Sequence, residues 1–258
     1  MSPTTPPPPS QSRLSTRISL RWPPAPAFEN TDTIVMSVAG WYVDLRIDRA
    51  TITIDWAIAG QRVVDPKDST RVQFTHEVDS RNSFDDVDCG TFSTLPNGDD
   101  LEKGSMPRAD LPGRPVCEYE EVWRELEFRA GPEGAGKGVS WVLESKDILD
   151  FKDGEKGEVT RTFLGRVWGT YLALRQVQRQ VRSPGSNATV VKDGGEVSAL
   201  REEWDSSRGW CTRYNLSTEV DKLPSMKDMP EPQAWTTGQT VTIAGVEYTV
   251  RAFEETTA

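Results

Sequence analysis

The chain has 258 residues, of which 36% are hydrophobic and 27% charged, with a formal net charge of −10. That apolar content excludes a disordered body. The acidic balance argues against nucleic-acid binding through phosphate neutralisation and against attraction to an anionic membrane surface.

Three cysteines, Cys89, Cys117 and Cys211, are odd in number and far apart, with no CxxC or Cys/His cluster. Neither a structural zinc site nor a disulfide-stapled secreted design fits them, and no metal or cofactor is expected. No run approaches the ~20 apolar residues of a membrane span, and the N-terminus shows no apolar signal core. The expected location is cytoplasmic, with the nucleus as the alternative, so the sequons at Asn187 and Asn215 are read as chance matches. Nine tryptophans suit packed barrels or pocket walls, because each buries a large area and carries one N–H that needs a partner.

In chain order, residues 1–12 read as a polyproline-type tail, either plainly disordered or a ligand for an SH3- or WW-like partner. Ile18, Leu20 and Trp22 alternate with polar neighbours as in a strand. Thr33–Ser37 and Trp41–Ile47 form a strand pair around a turn at Ala39-Gly40. Residues 51–58 and 72–79 alternate in the same way. From Asp85 to Pro115 the chain is acidic and rich in Gly and Pro, as in a long loop or a loose hairpin. Tyr119–Phe128 closes the first half. Residues 129–138 read as a flexible Gly-rich connection. Their phosphate-loop-like spacing, Gly131 to Lys137, lacks the hydroxyl residue after the lysine and the helix beyond it.

In the second half, Val139–Glu144, Thr162–Gln176 and Trp210–Leu216 read as strands. Lys146–Gly157 and Ser183–Gly195 read as loops, and Val197–Trp204 fits a strand or a short helix. Residues 240–253 form a hairpin around the two-residue turn Ala244-Gly245. Gly40-Trp41-Tyr42-Val43-Asp44-Leu45-Arg46-Ile47 returns 129 residues later as Gly169-Thr170-Tyr171-Leu172-Ala173-Leu174-Arg175-Gln176. Glycine, tyrosine, leucine and arginine keep their order. Short strands, turn residues and no long amphipathic helix predict an all-β chain of two related antiparallel units, barrels or sandwiches.

The ordered motifs Asp55-Trp56-Ala57-Ile58-Ala59-Gly60, Asp88-Cys89-Gly90, Tyr119-Glu120-Glu121-Val122-Trp123-Arg124, Phe163-Leu164-Gly165-Arg166-Val167-Trp168-Gly169 and Glu219-Val220-Asp221-Lys222-Leu223-Pro224, followed by the last hairpin, resemble the fungal HRI family. These proteins are named for interaction with a yeast casein kinase I. The resemblance spans roughly residues 14–256. It implies two tandem lipocalin-like β-barrels, at 13–130 and 139–258 around the connection 131–138, and a casein kinase I-type protein kinase as partner. It supplies no catalytic residues.

A small barrel either fills its interior or holds one ligand. Its wall would be the apolar faces Trp41, Val43, Leu45 and Ile47; Ile52, Ile54, Trp56 and Ile58; Val72, Phe74 and Val78. Packed to crystal-like density they are plain core; left open they form an apolar ligand site. His76, the only histidine, alternates onto this face beside Phe74. It is a candidate general base or a buried neutral ring with one hydrogen bond. The repeated pairs Tyr42/Arg46 and Tyr171/Arg175 either cover the outer barrel face or grip a carboxylate or phosphate. Trp123-Arg124 and Trp204-Asp205 suit plugs, rims or a seam. The acidic Asp85–Asp88 stretch lacks calcium-loop spacing and reads as solvated. The leading expectation is a non-enzymatic protein that binds an apolar small molecule or a protein partner. The alternatives are an isomerase or cyclase acting on a small hydrophobic metabolite, and a kinase-associated adaptor.

Overall fold

The computed structural model describes residues 12–108, 110–145, 156–182, 189–216, 223–230 and 235–256. The expected tail lies outside these residues except for Ser12, which already opens the first strand. The described residues form strands and no helix, so none is long and apolar enough to cross a membrane.

The first half contains β1 (Ser12–Arg21), β2 (Thr31–Val38), β3 (Trp41–Asp48), β4 (Ile54–Asp65), β5 (Asp68–Phe74), β6 (Val78–Asp79), β7 (Asp88–Thr94), β8 (Asp100–Pro107) and β9 (Val116–Glu125). Each main strand pairs antiparallel with the next, and β9 returns to β1, so eight strands close an up-and-down barrel; β6 pairs on β4 beside the ring. Closure leaves that ring no edge to aggregate through. Ala39 and Gly40, at φ 47° and 86°, make the left-handed two-residue turn whose twist suits the β2–β3 hairpin.

The second half contains β10 (Gly138–Ser145), β11 (Lys156–Val167), β12 (Thr170–Arg182), β13 (Thr189–Gly194), β14 (Ser198–Asp205), β15 (Gly209–Leu216), β16 (Thr240–Ile243) and β17 (Val246–Thr256). Its order β15-β14-β12-β11-β10-β17-β16 matches β5-β4-β3-β2-β1-β9-β8 of the first half strand for strand. The repeated eight-residue motif is therefore one visible part of a whole duplicated topology. Among the described residues β15 and β16 are the edges of this second sheet.

Three segments differ from their local reading. Thr189–Gly194 is a strand on the far end of β12; its Gly and Asn neighbours disguise it as loop. Ile52 sits in a turn at φ 56° and is 47% exposed, so that apolar face starts only at Ile54. The connection after residue 128 is pinned: Arg166 Nη2 donates to both Glu133 oxygens at 2.7 and 2.8 Å, and Phe128 packs on Trp168.

The two halves share one core. Ile34, Met36, Val38, Val43, Leu45 and Ile47 meet Val142, Phe163, Val167, Leu172, Leu174 and Ala199. At about 1.5–3 kcal/mol for each large side chain fully buried, this seam is a main source of stability. Leu45 and Leu174, equivalent in the repeat, both lie in it. Toward one end the seam turns polar. Gln176 Nε2 donates to the Asp79 carbonyl at 2.8 Å and Gln178 Nε2 to the Glu77 carbonyl at 2.7 Å.

Candidate functional site

Alternation puts one set of side chains inside the first barrel and its neighbours outside. Because Val43, Leu45 and Ile47 go to the seam, Tyr42, Asp44 and Arg46 must point in. This reverses the orientation expected from hydrophobicity. Trp41, Val43, Leu45, Ile47, Ile54 and Val78 belong to the seam, with Trp41 stacked on Phe163 at 6.1 Å. Trp56, Ile58 and Phe74 do face the interior. Tyr42 and Arg46, for which an outer cover and an anion grip were the two readings, are buried within it.

The interior holds a cavity of about 100 Å³. One wall is aromatic and apolar, with Tyr42, Trp56, Ile58 and Phe74 in contact. The opposite wall comes from β8 and β9 and carries Glu102, Tyr119, Glu121 and Trp123. Arg13, Asp100 and Glu125 form a charged, solvent-exposed rim.

Below the wall lies a buried ion network. Arg17 Nη1 donates to Glu121 Oε1 at 2.6 Å and its Nε to Glu29 Oε2 at 2.7 Å. Arg46 donates through Nε and Nη2 to Asp44 Oδ2 at 3.0 and 2.8 Å, and through Nη1 to Glu121 at 3.3 Å. Its guanidinium also lies 4.7 Å from the Trp56 ring centre and 5.3 Å from that of Trp123. Burial disfavours the Arg46 charge, but Asp44 and Glu121 outweigh it and hold the guanidinium charged. Burial raises the Asp44 carboxyl above its ordinary value against the pull of Arg46. Both Arg46 donors use Oδ2, and no donor among the described residues reaches Asp44 Oδ1.

Glu102 stands directly opposite Glu121 across the β8–β9 ladder. Burial first, then the charges of Glu121 and Asp88, push it up to about 8. Its oxygens lie 2.7 Å from Tyr119 Oη and 2.9 Å from Trp123 Nε1. Gly90 and Gly104 make this possible. A Cβ at Gly90 would come within 2.3 Å of Glu102 Oε1, and one at Gly104 within 2.7 Å of Tyr119 Oη.

The sign of the Glu102 shift sets a pH dependence. A carboxyl raised from 4.5 to about 8 contributes stability that is fully present below pH 4.5 and is lost as pH rises through 8. Glu102→Gln keeps an acceptor for Trp123, offers the Tyr119 hydroxyl oxygen an amide N–H in place of the acceptor it had, and does not titrate. The variant is expected to be more stable than the parent at pH 8 by a kcal/mol or more, with the difference shrinking toward pH 5. Urea denaturation at both pH values measures it. Equal stability differences at the two would show Glu102 ionised throughout.

His76 sits behind Trp56, their rings edge-to-face at 6.1 Å. Its Nδ1 lies 2.8 Å from Asp79 Oδ2 and its Nε2 3.1 Å from Asp88 Oδ2. Burial lowers its pKa, but the two carboxylates outweigh this and raise it to about 9. The ring is therefore a buried imidazolium donating on both sides, not the expected neutral ring with one bond. With both nitrogens engaged it offers no lone pair to act as a base.

The matching space in the second half is packed. Trp141, Leu143, Tyr171 and Val250 close on Leu223, Met226 and Trp235, which come from the chain between β15 and β16. Tyr171 donates to the Pro224 carbonyl at 2.6 Å. Arg175 lies half-buried farther along the same strand face. The repeat thus places both tyrosines inside, with Tyr42 and Arg46 lining the cavity of the first barrel. Local reading missed Asp44, Glu102, Tyr119 and Glu121. For Tyr119 and Glu121 the signal was the alternation Tyr119, Glu121, Trp123, Glu125, which mixes aromatic and acidic residues on one strand face.

The family model described as Protein HRI1 matches residues 13–251. Among solved structures, the uncharacterized protein YLR301w from Saccharomyces cerevisiae is similar, with a TM-score of 0.64 and 16% identity. The match covers 95% of this chain and 99% of that one, a likeness of fold alone. A comparison with curated protein sequences finds no match.

Proposed function

The chain belongs to the HRI1 family, and from that premise we propose a small-molecule-binding protein whose site is the interior of the first barrel. The carrying observation is the contrast between the halves. One topology occurs twice, yet one interior keeps a 100 Å³ cavity with charged and aromatic walls, while the other is filled by Trp235 and its neighbours. A cavity maintained by buried charges is costly for folding, which fits selection for binding. The space is smaller than the ~150 Å³ that takes benzene. A compact head group would sit inside, with any remainder leaving past the rim of Arg13 and Glu125. The ligand is then amphipathic rather than purely apolar.

One observation favours a second reading, acid–base catalysis on the bound molecule. An uncharged Glu102, hydrogen-bonded to Tyr119 at 2.7 Å, leaves one hydroxyl of the pair free to donate, the kind of group that stabilises developing negative charge.

Native mass spectrometry of gently purified protein tests the proposal, alongside Ile58→Trp, which fills the cavity. A bound small molecule is expected in the parent and absent from Ile58→Trp, with circular dichroism unchanged. An adduct that survives this substitution would put the site elsewhere. Release of a molecule rearranged relative to the one supplied would support catalysis.

A further inference from the structure

Resting on that binding site, we propose that its ligand is an organic cation, a protonated amine, whose ammonium group hydrogen-bonds to Asp44 Oδ1. The first ground is charge. The connected network of Arg17, Arg46, Asp44, Glu121 and the half-buried Glu29 sets three carboxylates against two guanidiniums. Buried charges are ordinarily paired, and here one negative charge is left over. The second ground is geometry. Asp44 is 3% exposed and lines the cavity, and its Oδ1 has no donor among the described residues. A buried acceptor left in that state is unfavourable. An ammonium carries three donors and no acceptor, so it supplies both the missing charge and the missing hydrogen bond.

The surroundings narrow the class. Among the described residues no three Asp, Glu, His or Cys groups converge to hold a metal ion, so a bare metal cation fits poorly. Trp56 already carries two guanidiniums, Arg46 at 4.7 Å and Arg81 at 4.3 Å. Trp123 and Phe92 carry Arg46 and Arg62, and the rings left for the ligand are Tyr119, Tyr42 and Phe74, the last two an edge-to-face pair at 5.5 Å. They would accept a short alkyl chain and the flank of its ammonium. An anion would instead face Asp44, Asp88 and Glu121. Of the arginines that line the cavity, Arg13 and Arg46 are already paired with carboxylates, and Arg62 stacks on Phe92 at 5.8 Å.

The test uses the full chain and three probes of similar size, n-butylamine, 1-butanol and butyrate, titrated calorimetrically near neutral pH. Butylamine is expected to bind at least tenfold tighter than butanol, and butyrate not at all. Asp44→Asn, which keeps the shape and removes the charge, is expected to abolish the preference for the amine while still binding butanol. The order of the three probes on the unaltered chain decides the matter even if Asp44→Asn does not fold. Butanol or butyrate binding as tightly as the amine would overturn the cation and leave the binding site standing. If no probe binds and native mass spectrometry detects no small molecule, the site itself falls. If an adduct is found and lacks a basic nitrogen, the cation alone falls.

Discussion

Asp79→Ala is expected to lower the unfolding free energy by about 3–5 kcal/mol, the usual effect of removing one partner from a buried ion pair. Asp79 is fully buried, and both its oxygens work. Oδ1 accepts from Trp56 Nε1 at 2.9 Å and from the Arg81 amide at 2.7 Å. Oδ2 accepts from the Ser83 amide at 3.1 Å and lies 2.8 Å from His76 Nδ1. Alanine strands an indole N–H, two amides and an imidazolium together. It would also loosen the chain at 77–79, whose backbone receives Gln176 and Gln178 from the other half. A urea series should show a lower midpoint with an unchanged slope. A loss below about 1 kcal/mol would mean that solvent replaces the carboxylate.

The pH response separates charge from packing. His76, raised from 6.5 to about 9, contributes stability that is fully present below pH 6.5 and lost as pH rises through 9. Asp79→Asn keeps Oδ1 and removes the charge, so it should shrink the stability difference between pH 6 and pH 9.

Gly165→Val is the second large effect, and it acts on the seam. A Cβ at Gly165 would stand 2.6 Å from Met36 Sδ and 3.1 Å from Val43 Cγ2, both in the opposite half. The thioether can bend away, but the Val43 methyl is held by β3 and has nowhere to go. Overpacking of this kind costs about 1–3 kcal/mol, and here it pushes two sheets apart. The expected result is destabilisation by about 2–3 kcal/mol, with unfolding curves by circular dichroism and by tryptophan fluorescence no longer coinciding. Gly165→Ala adds only the Cβ, so the thioether must move and the Val43 contact must relax slightly, and it should cost less than valine, about 1 kcal/mol. Equal effects from both substitutions would place the close contact elsewhere.

The strands were readable because alternation and turn chemistry are local. Ala244-Gly245, at φ 49° and 81°, forms the hairpin turn that the dipeptide announces. Which face of β3 is inside was not readable. Trp41, Val43, Leu45 and Ile47 form the more apolar face, and for an isolated barrel the rule puts such a face inward. A second sheet covers it instead, and that freed the inner face for Tyr42, Asp44 and Arg46. The partners that make this inner face tolerable are distant in sequence, as with Arg46 and Glu121. Likewise His76 acquires its charge from Asp79 and Asp88, brought together by the break after β5. No spacing pattern encodes either arrangement. The repeated Tyr/Arg pair was readable as a repeat, but its two outcomes depend on whether the chain near Met226 and Trp235 folds into the barrel beside it.

The seam joins β2 to β11 and β3 to β12, equivalent elements against equivalent elements. This is the arrangement a two-fold symmetric homodimer presents at its interface. In such a dimer every substitution occurs twice, so neither subunit can lose a cavity that the other keeps. Joining the copies in one chain lifts that restriction. Trp235 can plug one interior while Asp44 stays bare in the other, and the plugged copy still presents the wall on which its sibling rests.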